Sequence, residues 1–212
     1  MNESVFFLRH GKPNIGFDSY ADLPFSILCD LGKGLLNPGI DTEKTRAQIQ
    51  TLRSENLFSQ KSISLFASPI LRAQETAQLI STNLPVRGDV QTCLNLEEVH
   101  FDLSSLYQPG ENGIDMKVVN QKVLEAMGEG KYAESMESIF RRAELLFQTL
   151  KQTDGPILCI SHDFFMKGIE LFIRHKGDTA QISSNELFST QANQFCRGFE
   201  TTKDLSFFNT IS

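Results

Sequence analysis

The stretch that decides the fold of this chain is VFFLRHG, at residues 5–11. Four apolar residues lead directly into an arginine, a histidine and a glycine. A short run that is wholly apolar and ends at a turn residue is typical of a strand buried on both faces, as in the middle of a parallel sheet. Open α/β sheets bind ligands just beyond the carboxyl ends of such strands. Arg9 and His10 are therefore candidate site residues, although a lone histidine after a strand is more often structural.

A second stretch repeats this pattern late in the chain. ILCI at residues 157–160 is again wholly apolar, and a serine, His162 and Asp163 follow it. Because the carboxyl ends of parallel strands meet at one edge of a sheet, we expect His10 and His162 to lie close together. Two histidines at the same edge favour a functional role over a structural one.

Length and composition indicate a soluble globular protein. The chain has 212 residues, of which 40% are hydrophobic and 22% are charged, enough for one sizeable α/β domain. No apolar run approaches the ~20 residues that span a bilayer, and residues 1–3 lead into the first strand without a signal peptide. We therefore expect a single cytoplasmic domain over residues 1–212 that binds no membrane.

The charge and the cysteines argue against two further classes. A net charge of −6 does not suit a nucleic-acid-binding protein, which needs a basic stripe for phosphate contacts. The four cysteines form no Cys-x-x-Cys pair or Cys/His cluster, so we expect neither a zinc site nor a disulfide framework. An anionic substrate would need a local concentration of positive charge.

Residues 68–77, SPILRAQETA, predict an abrupt change from strand to helix. Ser68 suits the N-cap and the proline after it suits the first helical position. Arg72 then falls in the first turn, where backbone N–H groups favour an anion. The alternative is an exposed helical arginine paired with Glu75 or Glu98.

Residues 94–102, LNLEEVHFD, are predicted to be extended and place two carboxylates side by side. Adjacent side chains of a strand point to opposite faces, so only one of Glu97 and Glu98 is expected to enter a shared pocket.

The remaining segments complete an α/β pattern. We expect a loop at 12–39, helices near 41–54, 115–127, 134–151 and 163–174, a strand at 62–67, and an edge hairpin with strands at 193–201 and 205–209.

Four motifs, taken in order, resemble those of the histidine phosphatase superfamily, also called the phosphoglycerate-mutase-like fold. They are RHG after a strand, SPxxRAxxTA at a helix start, LxE with a following Phe101, and SH after a late strand. The resemblance runs from Ser4 to the final strand and includes Glu134 and Ser135. It implies a mostly parallel sheet with helices on both faces, and residues 103–130 are expected to form a small lid insertion. It further implies a histidine acid-type phosphatase of phosphorylated small molecules that needs no metal or cofactor.

The resemblance assigns roles to particular residues. His10 becomes the nucleophile that takes up the phosphoryl group, Arg9 and Arg72 hold the phosphate oxygens, and His162 donates to the same oxygens. These roles fit the physics, because neighbouring guanidinium groups disfavour the imidazolium and neutralise the transferred phosphate. The family places its proton donor two residues after a leucine and three before an aromatic, which selects Glu98.

Glu97 is the second choice for the proton donor. His100, two residues beyond Glu98, is expected to be exposed and without a role in the site, and His175 is expected to be a solvated surface histidine.

Several positions depart from the family pattern. Lys12-Pro13 replaces the usual Glu-Thr or Glu-Ser, and Gly16 replaces an asparagine.

Asn14 is the candidate to replace the phosphate ligand lost at Gly16. Asp102 and Asp163 stand where glycine is common, and we expect Asp163 to cap the helix after His162.

Two other functions stay open. A phosphoglycerate-type mutase would need more cations than the two lysines within 103–130, and a non-catalytic module would use the same pocket to recognise a phosphorylated ligand.

Overall fold

The structure is a computed structural model that describes residues 4–17, 19–54, 62–110, 113–182, 186, 195–206 and 208–211. Its strands are β1 (Ser4–Arg9), β2 (Ser64–Ala67), β3 (Gln91–Thr92), β4 (Ile157–Ser161), β5 (Gly198–Thr202) and β6 (Phe208–Ile211). Its α-helices are α1 (Phe25–Gly32), α2 (Thr42–Ser54), α3 (Leu71–Ser81), α4 (Leu103–Leu106), α5 (Met116–Glu129), α6 (Met136–Lys151) and α7 (Asp163–Arg174). Short 3-10 helices lie at Tyr20–Asp22, Leu94–Leu96 and Thr179–Gln181.

The six described strands form one sheet in the order β3-β2-β4-β1-β5-β6. Strands β1 to β4 run parallel, whereas β5 and β6 run antiparallel to their neighbours. This confirms the expected α/β fold, a mostly parallel central sheet with an antiparallel hairpin at its edge. The hairpin strands begin a few residues later than expected, and residues 193, 194 and 207 of the predicted strands lie outside the described part of the chain.

Helices cover both faces of the sheet because the apolar residues of the central strands alternate between two cores. Val5 and Phe7 of β1 pack into a core with α5, α6 and α7, while Phe6 and Leu8 pack into a core with α2 and α3. All four side chains are at most 6% exposed. The wholly apolar run is thus explained by burial on both faces.

Helix α6 has the amphipathic pattern that its sequence predicts. Ser135 is its N-cap, and the Ser135 hydroxyl accepts a hydrogen bond from the backbone N–H of Ser138 at 3.2 Å. Its buried residues recur at three- and four-residue steps: Ile139, Phe140, Ala143, Leu146, Phe147 and Leu150. This face packs α6 against α7 and the sheet.

Two local predictions are wrong. Helix α3 begins at Leu71 with Ile70 as its N-cap, so Ser68 is not the cap and Arg72 is the second helical residue. Residues 94–102 form no strand: Leu94–Leu96 is a 3-10 helix, and only Phe101 makes an isolated bridge, to Ala133. The Ser161 hydroxyl donates to the Leu96 carbonyl at 2.8 Å, which holds this segment across the end of β4.

Helices α1, α4 and α5 pack together beside the carboxyl end of the parallel strands. Leu28 and Cys29 of α1 share a small apolar core with Leu103 of α4 and Val119 of α5. The predicted lid segment 103–130 is thereby attached to the loop segment 12–39. Within the described part of the chain, no helix is long and apolar enough to cross a membrane.

Candidate active site

His10 lies directly after β1, where its backbone N–H donates to the Ser161 carbonyl at 2.9 Å and its side chain is buried. Its Nδ1 is 2.7 Å from the Gly11 carbonyl oxygen. A carbonyl oxygen only accepts hydrogen bonds, so Nδ1 carries the ring proton and Nε2 has a free lone pair. The Nε–H of Arg72 donates to that Nε2 at 3.0 Å. The local contacts therefore leave Nε2 unprotonated and bound to Arg72.

The charge state of His10 follows from its surroundings. Burial, followed by the charges of Arg72 and Arg9, holds the pKa of His10 well below its ordinary value of 6.5. Arg9 itself lies over the ring of Phe195, with its guanidinium carbon 4.3 Å from the ring centroid. His10 is consequently a neutral imidazole near pH 7, as nucleophilic attack requires.

Arg72 reaches His10 because the start of α3 is anchored to the loops around it. The hydroxyl of Thr76, one turn later, accepts a hydrogen bond from the Gly11 backbone N–H at 2.9 Å and donates to the Arg72 carbonyl at 2.6 Å. Glu75 accepts instead from the Ile40 backbone N–H at 2.7 Å. The alternative of an exposed arginine paired with Glu75 is therefore wrong, and Arg72 faces the end of β1.

His162 lies next to His10, as its place in the sequence predicts. The rings of His10 and His162 are 4.9 Å apart, and His162 is fully buried. Its Nε2 lies 2.9 Å from the Ser68 hydroxyl, and its buried Nδ1 has no hydrogen-bond partner among the described residues. Burial, followed by the charges of His10 and Arg72, lowers the pKa of His162 well below 6.5. The role of Ser68 is thus to position His162.

Asp163 does not cap α7, because the N-cap position is occupied by His162 and Asp163 is the first helical residue. Its carboxylate forms an ion pair with Lys167 at 3.3 Å, one turn along the same helix. Both side chains are buried, so the charge of the Asp163 carboxylate is balanced locally by Lys167.

Glu98 is held with its carboxyl group against two backbone donors. Its Oε1 accepts hydrogen bonds from the N–H groups of Val99 at 2.9 Å and Phe165 at 3.1 Å. Burial raises the pKa of Glu98 above the ordinary 4.5, while the hydrogen bond from Val99 and the charge of Arg72 oppose the rise. A carboxyl group in this state retains its proton to higher pH than an exposed one, which suits a general acid.

Glu97 differs from Glu98 in the cavities that it lines. Glu98, but not Glu97, lines the cavity that contains Arg9 and Arg72. Both glutamates line a smaller neighbouring cavity of about 140 Å³, but only Glu98 lines the cavity that contains both arginines, in agreement with the expectation that one glutamate enters the site. The irregular backbone after the 3-10 helix explains why strand alternation does not apply here.

Arg142 supports the segment that carries Glu98, and the sequence analysis missed it. Its Nη1 donates to the Glu97 carbonyl at 3.2 Å, and its Nη2 forms an ion pair with Glu134 at 3.1 Å. The guanidinium also lies 4.1 Å from the ring centroid of Phe165, whose N–H binds Glu98. These contacts join residues far apart in sequence, and helical periodicity alone gives no signal for them.

A cavity of about 400 Å³ opens beside Arg72, the hydrogen-bond partner of His10, although His10 and His162 are not among its lining residues. Arg9, Arg72 and Glu98 line it, together with Ser19 and Tyr20 from the loop segment. Most of the other lining residues are apolar: Pro13, Ile15, Leu28, Leu31, Pro38, Phe101, Met116, Val119, Phe164 and Phe195. The predicted lid segment thus contributes to the wall through α5.

Tyr20 is a second residue that the sequence analysis missed. Burial raises the pKa of its phenol, and the charges of Arg9 and Arg72 oppose this rise. Asn14, the expected substitute ligand, is exposed and does not line the cavity, so that expectation is wrong. Tyr20 therefore lines the cavity close enough to Arg9 and Arg72 to feel their charges.

The remaining histidines lie apart from His10. His100 is exposed, as expected. His175 is only half-buried but lies 2.8 Å from Glu186, so it is a paired rather than a simply solvated residue. Asp102 forms an ion pair with Lys33 at 3.0 Å. Within the described ranges no group of three or more His, Cys, Asp or Glu side chains is arranged to hold a metal ion.

The fold and the paired histidines at its sheet edge define a protein class. The chain belongs to the histidine phosphatase superfamily (branch 1), whose family model matches residues 41–176. That range contains Arg72, Glu98 and His162, while His10 lies before it.

Three solved structures illustrate the similarity in fold. The chain is 12% identical to mycobacterial hydrolase 1, with a TM-score of 0.63 and coverage of 99% of this chain and 97% of that one. It is 13% identical to a mycobacterial glucosyl-3-phosphoglycerate phosphatase, with a TM-score of 0.61 and coverage of 98% and 97%. It is 17% identical to a phosphoserine phosphatase from Entamoeba histolytica in complex with 3-phosphoglyceric acid, with a TM-score of 0.59 and coverage of 99% and 98%. A search of curated protein sequences found no significant match.

Proposed function

We propose that this protein is a metal-independent phosphomonoesterase that hydrolyses a phosphorylated small molecule through a phosphohistidine at His10. The observation that carries the proposal is the tautomer of His10. Its Nδ1–H is bound to the Gly11 carbonyl, and its Nε2 accepts a hydrogen bond from Arg72, which lines the cavity. A structural histidine has no need of an unprotonated nitrogen held against a guanidinium.

The first half-reaction transfers the phosphoryl group to the enzyme. Arg9 and Arg72 bind the phosphate oxygens, and the N–H of Arg72 moves from Nε2 to an oxygen, which frees the lone pair for in-line attack. A P–N bond forms as the P–O bond to the leaving group breaks, and Glu98 gives its proton to the departing alkoxide. The buried Nδ1 of His162 supplies a further donor for a phosphate oxygen once Ser68 donates to its Nε2.

The second half-reaction returns the enzyme to its starting state. Glu98, now a carboxylate, accepts a proton from a water molecule that attacks phosphorus, and the P–N bond breaks. Inorganic phosphate leaves, His10 is neutral again and Glu98 is protonated again. Every proton is accounted for by Glu98 and water, so the cycle requires no cofactor.

Two observations favour hydrolysis over the alternatives. A phosphoglycerate-type mutase must retain a bisphosphorylated intermediate, yet the lysines of the 103–130 segment, Lys117 and Lys122, are not among the cavity-lining residues. A non-catalytic binding module would have no use for the raised pKa that burial gives Glu98. We also propose a cytoplasmic, single-domain protein in which residues 103–130 act as a lid and which binds no nucleic acid.

The direct test is release of inorganic phosphate from p-nitrophenyl phosphate in the presence of EDTA. We expect turnover by the wild type and by His175→Gln, a matched control outside the cavity, and loss of turnover in His10→Gln. Turnover that survives in His10→Gln, or that stops when metal is chelated, would contradict the proposal.

A further inference from the structure

We propose, resting on the phosphatase function above, that the leaving group of the substrate is an apolar, uncharged alcohol or phenol. The site would then prefer phosphomonoesters of hydrocarbon-like alcohols over phosphates that carry a carboxylate, a second phosphate or several hydroxyls. The argument comes from the walls of the cavity beyond Arg9 and Arg72.

The first observation is that three separate elements present hydrocarbon to this space. Leu28 and Leu31 of α1, Met116 and Val119 of α5, and Phe164 of α7 all line the cavity. Phe101 packs edge-on against Phe164, with ring centroids 5.5 Å apart, and lines it too. Apolar pockets with a few placed polar groups bind ligands whose bulk is apolar and whose polar end is fixed.

The second observation is the distribution of charge. The cations among the described lining residues are Arg9, Arg72 and Lys12, and the carboxylates are Glu98 and Asp163. The two guanidinium groups suit one dianionic phosphate, and the Asp163 carboxylate is already paired with Lys167. The hydrocarbon wall itself offers no partner to a second anion on the leaving group, and Lys12 is the one further cation among the described lining residues.

Burying an unpaired hydroxyl or charge against such a wall is unfavourable, whereas burying a methylene is favourable. The preference can therefore be measured as a dependence on chain length. Binding of n-alkylphosphonates, which have no hydrolysable ester bond, should tighten by about two- to fourfold for each added methylene from ethyl to hexyl. 3-Phosphonopropionate, in which a carboxylate ends a short chain, should bind at least about tenfold more weakly than propylphosphonate.

The experiment measures these dissociation constants by calorimetry and then compares turnover of ethyl, butyl and hexyl phosphate with that of 3-phosphoglycerate. Met116→Gln, which places an amide on the wall at nearly constant side-chain volume, should flatten the chain-length dependence. Lys117→Gln, the neighbouring change outside the cavity, should leave it as in the wild type.

The two proposals fail in different ways. Affinities that do not change with chain length, or tighter binding of 3-phosphonopropionate than of propylphosphonate, would overturn the leaving-group inference even if every phosphate is hydrolysed. Affinities that rise with chain length in a protein that hydrolyses none of the esters would support the apolar pocket and contradict the phosphatase function. A chain-length dependence that survives Met116→Gln and is lost in Lys117→Gln would place the apolar wall elsewhere and overturn the inference.

Discussion

Replacing Glu98 by glutamine removes the proton that this residue can donate but keeps the hydrogen bonds that hold it in place. The glutamine carbonyl can still accept the backbone hydrogen bonds from Val99 and Phe165, so the local fold should persist. The amide has no proton to give to a leaving alkoxide. Glu97→Gln is the matched control, because Glu97 does not line the cavity that contains Arg9 and Arg72.

The size of the effect depends on the leaving group. Loss of general acid catalysis should lower the rate on ethyl phosphate by about 10²- to 10⁴-fold, or about 3–5 kcal/mol in activation free energy. p-Nitrophenolate leaves without a proton, so its release in a single turnover should slow much less, although the later attack of water on the phosphohistidine slows for both substrates. Glu97→Gln should change both rates by less than about threefold.

The same substitution should stabilise the protein at neutral pH. Because burial raises the folded-state pKa of Glu98 above 4.5, the wild type loses stability as the pH rises from 4.5 through that raised pKa. Each unit of the rise costs about 1.4 kcal/mol once the group is ionised. Urea unfolding should show that Glu98→Gln gains stability over the wild type at pH 7 and little at pH 4.5.

Single-turnover rates of leaving-group release from both substrates, together with unfolding at the two pH values, test these expectations. An equal loss on ethyl phosphate and p-nitrophenyl phosphate would mean that Glu98 positions the substrate rather than donating a proton. A large loss in Glu97→Gln and none in Glu98→Gln would move the acid role to Glu97.

Three further outcomes are expected. Arg72→Gln removes a charge that helps to lower the pKa of His10 well below 6.5, so the acid limb of its pH–rate profile should move to higher pH than that of the wild type. A limb that does not move would contradict this. Arg142→Met should slow release of ethanol from ethyl phosphate in a single turnover by about tenfold, with little change in release of p-nitrophenolate, because it loosens the segment that carries Glu98. Gly198→Ala should lower the free energy of unfolding by about 2–4 kcal/mol in urea, since its Cβ would overlap the Phe7 carbonyl in the β1–β5 ladder, and a wild-type value would refute that close approach.

Much of the fold could be predicted because local patterns agree with their tertiary surroundings. The apolar runs in β1 and β4 face two cores, and the periodicity of α6 matches its buried face. The predictions failed where a distant residue determines the local structure. Ser68 has the chemistry of an N-cap, but its hydroxyl lies against His162, and the helix starts later.

Some residues of the candidate site could likewise be predicted from the sequence, and others could not. His10, Arg72 and His162 come together as their positions at strand and helix ends predict, whereas Glu98 was selected by the family pattern and lies on an irregular segment. Arg142 could not be found from the sequence, since its contacts with the Glu98 segment depend on how α6 crosses the end of the sheet. The tautomer of His10 likewise depends on the orientation of one carbonyl group, which no sequence pattern specifies.

Rapid quenching of the enzyme during turnover, followed by identification of the phosphorylated atom by ³¹P NMR, tests the role of His10. The geometry predicts an acid-labile phosphoryl group on Nε2 of His10, because Nδ1 is bound to the Gly11 carbonyl at 2.7 Å. The signal should be absent in His10→Gln and should accumulate when Glu98→Gln slows the attack of water. A phosphoryl group on Nδ1, on another residue, or one that persists in His10→Gln would contradict this mechanism.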